Sequence, residues 1–386
     1  MKRWVFIVGI VFIVLLTGVW MYLLFFGAPT SGGIFNAFNF NDTTEEGIVI
    51  DVPEVEAVVD TNSPERLRQL TIRKVIGHAE VASSTASTSL VYFAEAGTGH
   101  IYTIDLVTGV EERISNITIP KADEAAISSD GSYAAVAADG KLSLITLPHG
   151  TRTLASEELT SGASHLAFSD DTLLYSITTG GATQAKSVAL ESNTTKTLFE
   201  VPFRESVIVW GETPAATHYA YPKTTARLEG YYYAIKAGVL DRLPISGYGF
   251  NVKGNGAFSL YSERQNDRYQ SFIFNHATGD STSLGTALLP EKCTFSNTTE
   301  TAVCAIGDTS DPQYPDVWYK GVLVSSDDLW SFDMTNNSGT FVLDLEEESV
   351  RRIDVTDLQP NTDDTHWYFI NKIDQALWLF DRTISE

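Results

Sequence analysis

The chain is poor in cysteine, poor in methionine and short of basic residues. Two cysteines in 386 residues cannot build a disulfide scaffold, so stability has to come from a hydrophobic core. Lysine and arginine number 26 against 49 aspartates and glutamates, a net charge of −23. Nucleic acid and anionic lipid both need a basic footprint, which excludes them as broad-surface partners. Signatures of chemistry are missing as well. The sequence has no G-x-S-x-G nucleophile elbow, no H-E-x-x-H, no C-x-x-C and no G-x-x-x-x-G-K-[ST]. The seven histidines, His165 among them, show no ligand spacing and read as strand or loop residues. Asp308, Asp311, Asp316, Asp327 and Asp328 crowd together but lack the order and terminal glutamate of a calcium loop. No cofactor and no metal is expected.

Long apolar runs are also absent, with one exception. Residues 4–26 carry no charge and would reach roughly 35 Å as a helix, enough to cross a bilayer. Lys2 and Arg3 precede this run, and no basic residue follows before Arg66. The basic flank stays in the cytoplasm, so the bulk of the chain is expected outside it. Residues 1–26 therefore read as a transmembrane signal anchor in the cytoplasmic membrane, single-pass, N-terminus inside. The rival reading is a cleaved signal peptide, whose apolar region is normally about 7–15 residues and so shorter than this run. Residues 27–64 turn polar and acidic and read as a tether, because they offer too little apolar surface to offset their ordering entropy.

From residue 65 to 386 the chain repeats in pattern. Polar turns fall at Asp130-Gly131, Asp170-Asp171, Glu212-Thr213, Asn255-Gly256 and Asn297-Thr298, with one more at Asp363-Asp364. The first five are spaced by about 42 residues, and such a period with four strands per unit signals a β-propeller. Seven β-rich runs line up, from SLVYF (89–93) to HWYFI (366–370), each followed by an alternating or aromatic-rich strand text. A fourth text follows six of them, including RTLAS (152–156), LDRLP (240–244) and VRRID (350–354). The seventh unit ends too early for a fourth strand. PERLRQLT (64–71) resembles the fourth-strand texts and is expected to supply it, closing the ring. The expected fold is thus all-β, a seven-bladed β-propeller, with six or eight blades as alternatives.

The turn SSDG (128–131) and the text HIYTIDLVTG (100–109) resemble the TolB-like and WD40-like propeller repeats of bacterial envelope proteins. The texts LPEKCTFS (289–296), AVCAIG (302–307), YPDVWYKG (314–321) and DDLWSFD (327–333) resemble an uncharacterised family of membrane-anchored propellers from small-genome bacteria. The first resemblance covers most of residues 65–382 and implies propeller repeats. The WD40 signature that pairs Gly-His with Trp-Asp is absent, so no WD40 partner-binding rule carries over. The second brings no known activity.

Unit six carries the most informative loop. Residues 307–328 fill a connection that needs only a few residues, and they contain Tyr314, Trp318, Tyr319 and Lys320. Aromatics beside a charge typify binding hot spots, so these four are the candidate binding residues. The competing reading folds Trp318 and Tyr319 back as a plug over the blades. Cys293 and Cys304 flank the turn at Asn297-Thr298 symmetrically, which makes them opposed residues of one hairpin and a possible disulfide. The expected function is non-catalytic: a binding or scaffold module with a protein or glycan partner at the propeller face. The alternatives are a propeller enzyme acting on glycans or peptides, and an envelope-assembly partner.

Overall fold

The computed structural model describes residues 65–82, 89–147, 155–266 and 268–384. The expected anchor and tether lie outside them, and among the described residues no helix is long and apolar enough to cross a membrane.

Antiparallel sheets account for the architecture. Strand β1 (Leu67–Gln69) stands apart from the first sheet, which runs β2 (Val75–Ala82), β3 (Ser89–Glu95), β4 (Ile101–Asp105) and β5 (Glu111–Arg113). The second holds β6 (Ala122–Ile127), β7 (Tyr133–Ala138), β8 (Lys141–Thr146) and β9 (Ala155–Ser161). The third holds β10 (Ala163–Ser169), β11 (Thr172–Thr179), β12 (Ala182–Ala189) and β13 (Thr194–Val201). A seven-stranded sheet follows: β14 (Ser206–Val209), β15 (His218–Pro222), β16 (Glu229–Lys236), β17 (Val239–Gly254), β18 (Phe258–Gln265), β19 (Arg268–Asn275) and β20 (Ser281–Ser283). Then come β21 (Cys293–Phe295), β22 (Thr301–Ile306), β23 (Asp328–Asp333) and β24 (Ser338–Asp344). The last sheet takes β25 (Val355–Pro360), β26 (His366–Asn371) and β27 (Leu377–Asp381), with β1 as its fourth strand.

Buried side chains join each sheet to the next. Val91, Phe93 and Ile104 of the first sheet pack on Tyr368 and Leu379 of the last. Ala94 and Ile101 meet Ala134 and Val136, and Leu142 meets Leu173 and Tyr175. Phe199 and Val201 meet Ala220 and Ile235. Leu260 and Ile273 meet Ala302 and Phe332, and Val303 and Leu329 meet Trp367 and Phe369. A further cluster, with Tyr219, Tyr232, Phe250 and Tyr261, lies inside the seven-stranded sheet, between its two halves. The chain of clusters returns to its start, so the sheets close a ring. Inner strands approach tightly: a Cβ on Gly77 of β2 would lie 2.1 Å from Ala125 O of β6, so only glycine fits there.

Each polar turn recognised in the sequence separates the first two strands of a sheet or half-sheet. At Asp130-Gly131, Gly131 takes φ +69°, a conformation that glycine adopts without strain. Strand β1 pairs antiparallel with β27, Leu67 opposite Phe380 and Gln69 opposite Trp378. Arg66 clamps it through a two-pronged ion pair to Glu348, both bonds 3.0 Å.

Two strand expectations need correction. VRRID (350–354) is not a strand. The fourth strand there is β24, which returns from β23 through a tight turn in which Asp333 Oδ1 accepts the backbone N–H groups of Thr335 and Asn336. The chain then enters helix α1 (Leu345–Ser349), where Asp344 caps Glu347 N at 2.8 Å and three glutamates occupy the first turn. Cap and charge both favour a helix at this place. LDRLP (240–244) is a strand but does not end as one, because β17 runs on to Gly254.

Candidate functional site

A cavity of about 450 Å³ opens between the third sheet, the seven-stranded sheet and the residue 307–327 insertion. Its first wall is made of strand residues. Strands β10 and β11 shift register between Ser164 and Ala167. His165 sits in that bulge at φ 55°, a left-handed conformation that costs a non-glycine residue energy and recurs at functional sites. The bulge places His165 on the cavity beside Ser164 and Ser176. Its Nδ1 lies 2.9 Å from Ser176 Oγ, and its carbonyl accepts Trp210 Nε1 at 2.7 Å. Burial, aided by Lys223, lowers the imidazole to about 4, so it is neutral at physiological pH.

The opposite wall is built from the turn Pro290–Lys292 and the insertion. Within the insertion, residues 316–319 form one helical turn, and Asp316 Oδ1 accepts Ala226 N at 2.9 Å. Tyr319 borders the cavity, and its hydroxyl accepts Asn251 Nδ2 at 2.6 Å. Glu291 interacts with both Tyr319 and Asn251. Glu291 is half-buried between the cavity and a neighbouring recess. Burial therefore raises its carboxyl above the usual range, against the pull of those hydrogen bonds and of Lys223 and Lys253. A second recess of about 510 Å³ shares Val207, Tyr221 and Glu291 with the first and adds Lys253, Trp318 and Asp357. Burial lowers Lys253, opposed by Asp357 and Glu291.

Two buried polar atoms on the cavity wall have no hydrogen-bond partner: Asn251 Oδ1 and Tyr221 Oη. The residues are 4% and 1% exposed. The Val252 amide lies near the Tyr221 hydroxyl without forming a bond of proper geometry. Unpaired buried polar atoms are rare and costly.

The four candidate residues of the insertion separate. Tyr314 and Trp318 are buried, in a small core with Tyr269 and Leu289, and Trp318 Nε1 donates to both oxygens of Asp354. These two form the plug. Tyr319 reaches the cavity. Lys320 points to a separate outer depression beside Arg227 and Arg264. Cys293 and Cys304 are opposed in register, with sulfurs 2.11 Å apart. His165, Asn251, Lys253 and Glu291 are the residues that sequence reasoning did not single out. Only Glu291 lay in a text that stood out, LPEKCTFS (289–296).

Among the described residues no three His, Cys, Asp or Glu side chains converge as a metal site. The cavity also presents Lys223 and Arg204 beside its few donors, and their charge opposes a cation. The residues do not fit a divalent metal.

No protein-family model and no curated protein matches this sequence. Solved structures do resemble it. An oligogalacturonate lyase in complex with manganese aligns with a TM-score of 0.52 at 12% identity, over 82% of this chain and 92% of that one. An oligogalacturonate lyase from Vibrio parahaemolyticus gives 0.52 at 9%, over 82% and 93%. The β-propeller domain of the trilobed protease from Pyrococcus furiosus, described as having an open velcro topology, gives 0.51 at 12%, over 80% and 94%. The fold is a β-propeller. In this chain, by contrast with an open ring, β1 closes on β27.

Proposed function

We propose that this protein is a membrane-anchored, extracytoplasmic, non-catalytic binding module whose central cavity takes a short polyhydroxylated ligand, a glycan fragment. The propeller is read as seven-bladed, with β17 serving as the last strand of one blade and the first of the next. One observation carries the binding reading: the unpartnered Asn251 Oδ1 and Tyr221 Oη on one wall of one cavity. A ligand rich in hydroxyls offers a donor to the first and an acceptor to the second. Ser164, Ser176, Thr178, Thr183 and Thr224 extend the polar lining, and Phe250 and Tyr319 add apolar ring surface. Few convergent polar groups on a partly aromatic wall are typical of small-ligand sites.

Calorimetric titration of the full chain with a panel of neutral, uronic and amino-sugar oligosaccharides tests this. Binding of at least one class, lost in Asn251→Leu, is expected. No heat from any class up to the solubility limit would overturn the reading.

A second reading, the enzyme, rests on Glu291 moved up and Lys253 moved down around one recess. Both shifts run toward neutral pH, as proton-transfer groups require. Oligosaccharides that bind and are recovered unchanged after prolonged incubation would remove it, and release of shortened products would establish it. The placement outside the membrane has its own check: protease added to intact spheroplasts should release a soluble propeller by cutting within residues 27–64.

A further inference from the structure

Behind the insertion lies a closed ionic site. The Lys292 side chain is 2% exposed, and those of Asp327 and Asp354 are fully buried. Lys292 Nζ lies 2.6 Å from Asp354 Oδ1, 2.7 Å from Asp327 Oδ2 and 2.7 Å from Ser325 Oγ. Asp354 is ringed by donors. Trp318 Nε1 reaches its two oxygens at 2.9 and 3.1 Å, Ser325 N reaches Oδ2 at 3.2 Å, and Ser325 Oγ reaches Oδ1 at 3.1 Å. Asp327 has fewer, chiefly Val355 N at 2.7 Å. The backbone closes over the site at Gly307, where a Cβ would lie 2.3 Å from Asp327 Oδ1. One ammonium and two carboxyls share a space that admits no bulk water. Burial moves Asp327 up.

We propose that Lys292 and Asp354 condense into an intramolecular isopeptide bond, with Asp327 carrying the proton.

The step balances without any co-reactant. Lys292 Nζ passes one proton to Asp354 Oδ1, 2.6 Å away, which leaves a neutral amine facing a carboxylic acid. The nitrogen lone pair attacks Cγ of Asp354, forming the C–N bond. Trp318 Nε1 and the Ser325 groups stabilise the developing oxyanion, as preorganised donors do in acyl transfer. The Asp327 carboxylate takes the second proton from the nitrogen and hands it to the Asp354 hydroxyl. The C–O bond breaks and that oxygen departs as water. The sum is one ammonium plus one carboxylate giving one amide plus one water, with Asp327 restored. Contact distance and a buried, fixed geometry lower the entropic cost of the encounter, and loss of the water from a dry site favours the amide. Asp354 is the acyl partner because its oxygens take the greater number of donors.

The bond would tie the turn before β21 to the segment before β25, residues 62 apart in sequence. Trp318 and Ser325 hang from the same Asp354, so the plug would be held by a covalent anchor.

Mass spectrometry of the intact full chain after disulfide reduction tests the proposal. The expected mass is one water below that of the sequence, while Lys292→Arg shows its full sequence mass. Digestion should yield a branched peptide containing Lys292 and Asp354, with no tryptic cut after Lys292. Asp327→Ala should leave the chain unlinked although both partners remain. Full mass in the wild-type protein would overturn the proposal regardless of how the variants fold. So would a water loss confined to one linear peptide, which marks a succinimide, or a branch to any other residue. Unimpaired linkage in Asp327→Ala would overturn the proton-carrier role.

Discussion

The two walls of the central cavity reach the same space by opposite means. On one side, β11 returns to β12 through the two-residue turn Gly180-Gly181, and a bulge in β10 aims His165 inward. On the other, the equivalent connection between β22 and β23 takes residues 307–327, and a buried ionic cluster holds it down. The first wall uses the sheet itself and stores strain at one residue. The second adds chain outside the sheet, whose ordering has to be offset by burying Tyr314 and Trp318 and by pairing Lys292. A site on a bulge inherits the rigidity of its sheet. A site on an insertion needs its own anchor.

Both walls depend on the ring staying closed, so the largest effect is expected from opening it. A chain that starts at residue 72 lacks β1, losing Leu67 and Leu70, which are 2% and 3% exposed. Leucine truncation in a core costs about 2–5 kcal/mol each, and the bare β27 becomes an exposed edge. Loss of a cooperative thermal transition, or aggregation, is the expected outcome. A melt within a degree or two of the full-length protein would show that closure contributes nothing.

The next effect separates the walls. Lys292→Met removes the nitrogen of the proposed amide and, in an unlinked chain, the buried cation; loss of the buried pair alone costs about 3–5 kcal/mol. Chemical denaturation should show that loss, and limited proteolysis should cut first within residues 307–327. Initial cutting at Gly180-Gly181 instead would mean that the anchor is not what holds the insertion. Removing the disulfide acts on the same sheet more weakly. The bond spans 11 residues already held as a hairpin, so Cys293→Ala with Cys304→Ala should cost about 2 kcal/mol, the low end of the usual range. Two free thiols in unreduced, denatured protein would remove this expectation.

The same contrast explains what was legible in the sequence. Strand texts such as YAAVA (133–137) and LLYSI (173–177) fall inside β7 and β11, because inner strands alternate or run apolar between Gly- and Asp-rich turns. The Cys293–Cys304 register followed from one hairpin's symmetry. VRRID (350–354) misled because its place after a third strand text suggested a fourth strand, and the cap at Asp344 and the three glutamates favour a helix just before it. The first wall was hidden entirely. His165 owes its place to a bulge, and a bulge is set by pairing between β10 and β11 rather than by local residue types. The second wall was half visible: the insertion stood out by length and aromatics, but not which aromatics face inward. Tyr319 does, and Trp318 is spent on Asp354.

The smallest effect, and the sharpest discriminator, is the pH response of the two walls. His165 titrates at about 4 in the folded protein, below its ordinary 6.5. The unfolded chain therefore binds more protons than the folded one between these values, and stability falls as pH drops through that window. At pH 5 the deficit is about 1–2 kcal/mol, and His165→Gln should abolish it, provided the bulge accepts glutamine. Glu291 behaves with the opposite sign. Its folded carboxyl lies above the ordinary 4.5, so the folded protein holds the proton longer. Stability then falls as pH rises from about 4.5 through the folded value and stays lower at neutral pH. Glu291→Gln should therefore raise stability at pH 7 and leave it unchanged in acid. Denaturation midpoints of the two variants against pH, relative to wild type, should diverge in acid for His165→Gln and near neutrality for Glu291→Gln. Parallel curves would mean that the two walls share one electrostatic environment, and that the cavity between them is not the shielded space its geometry describes.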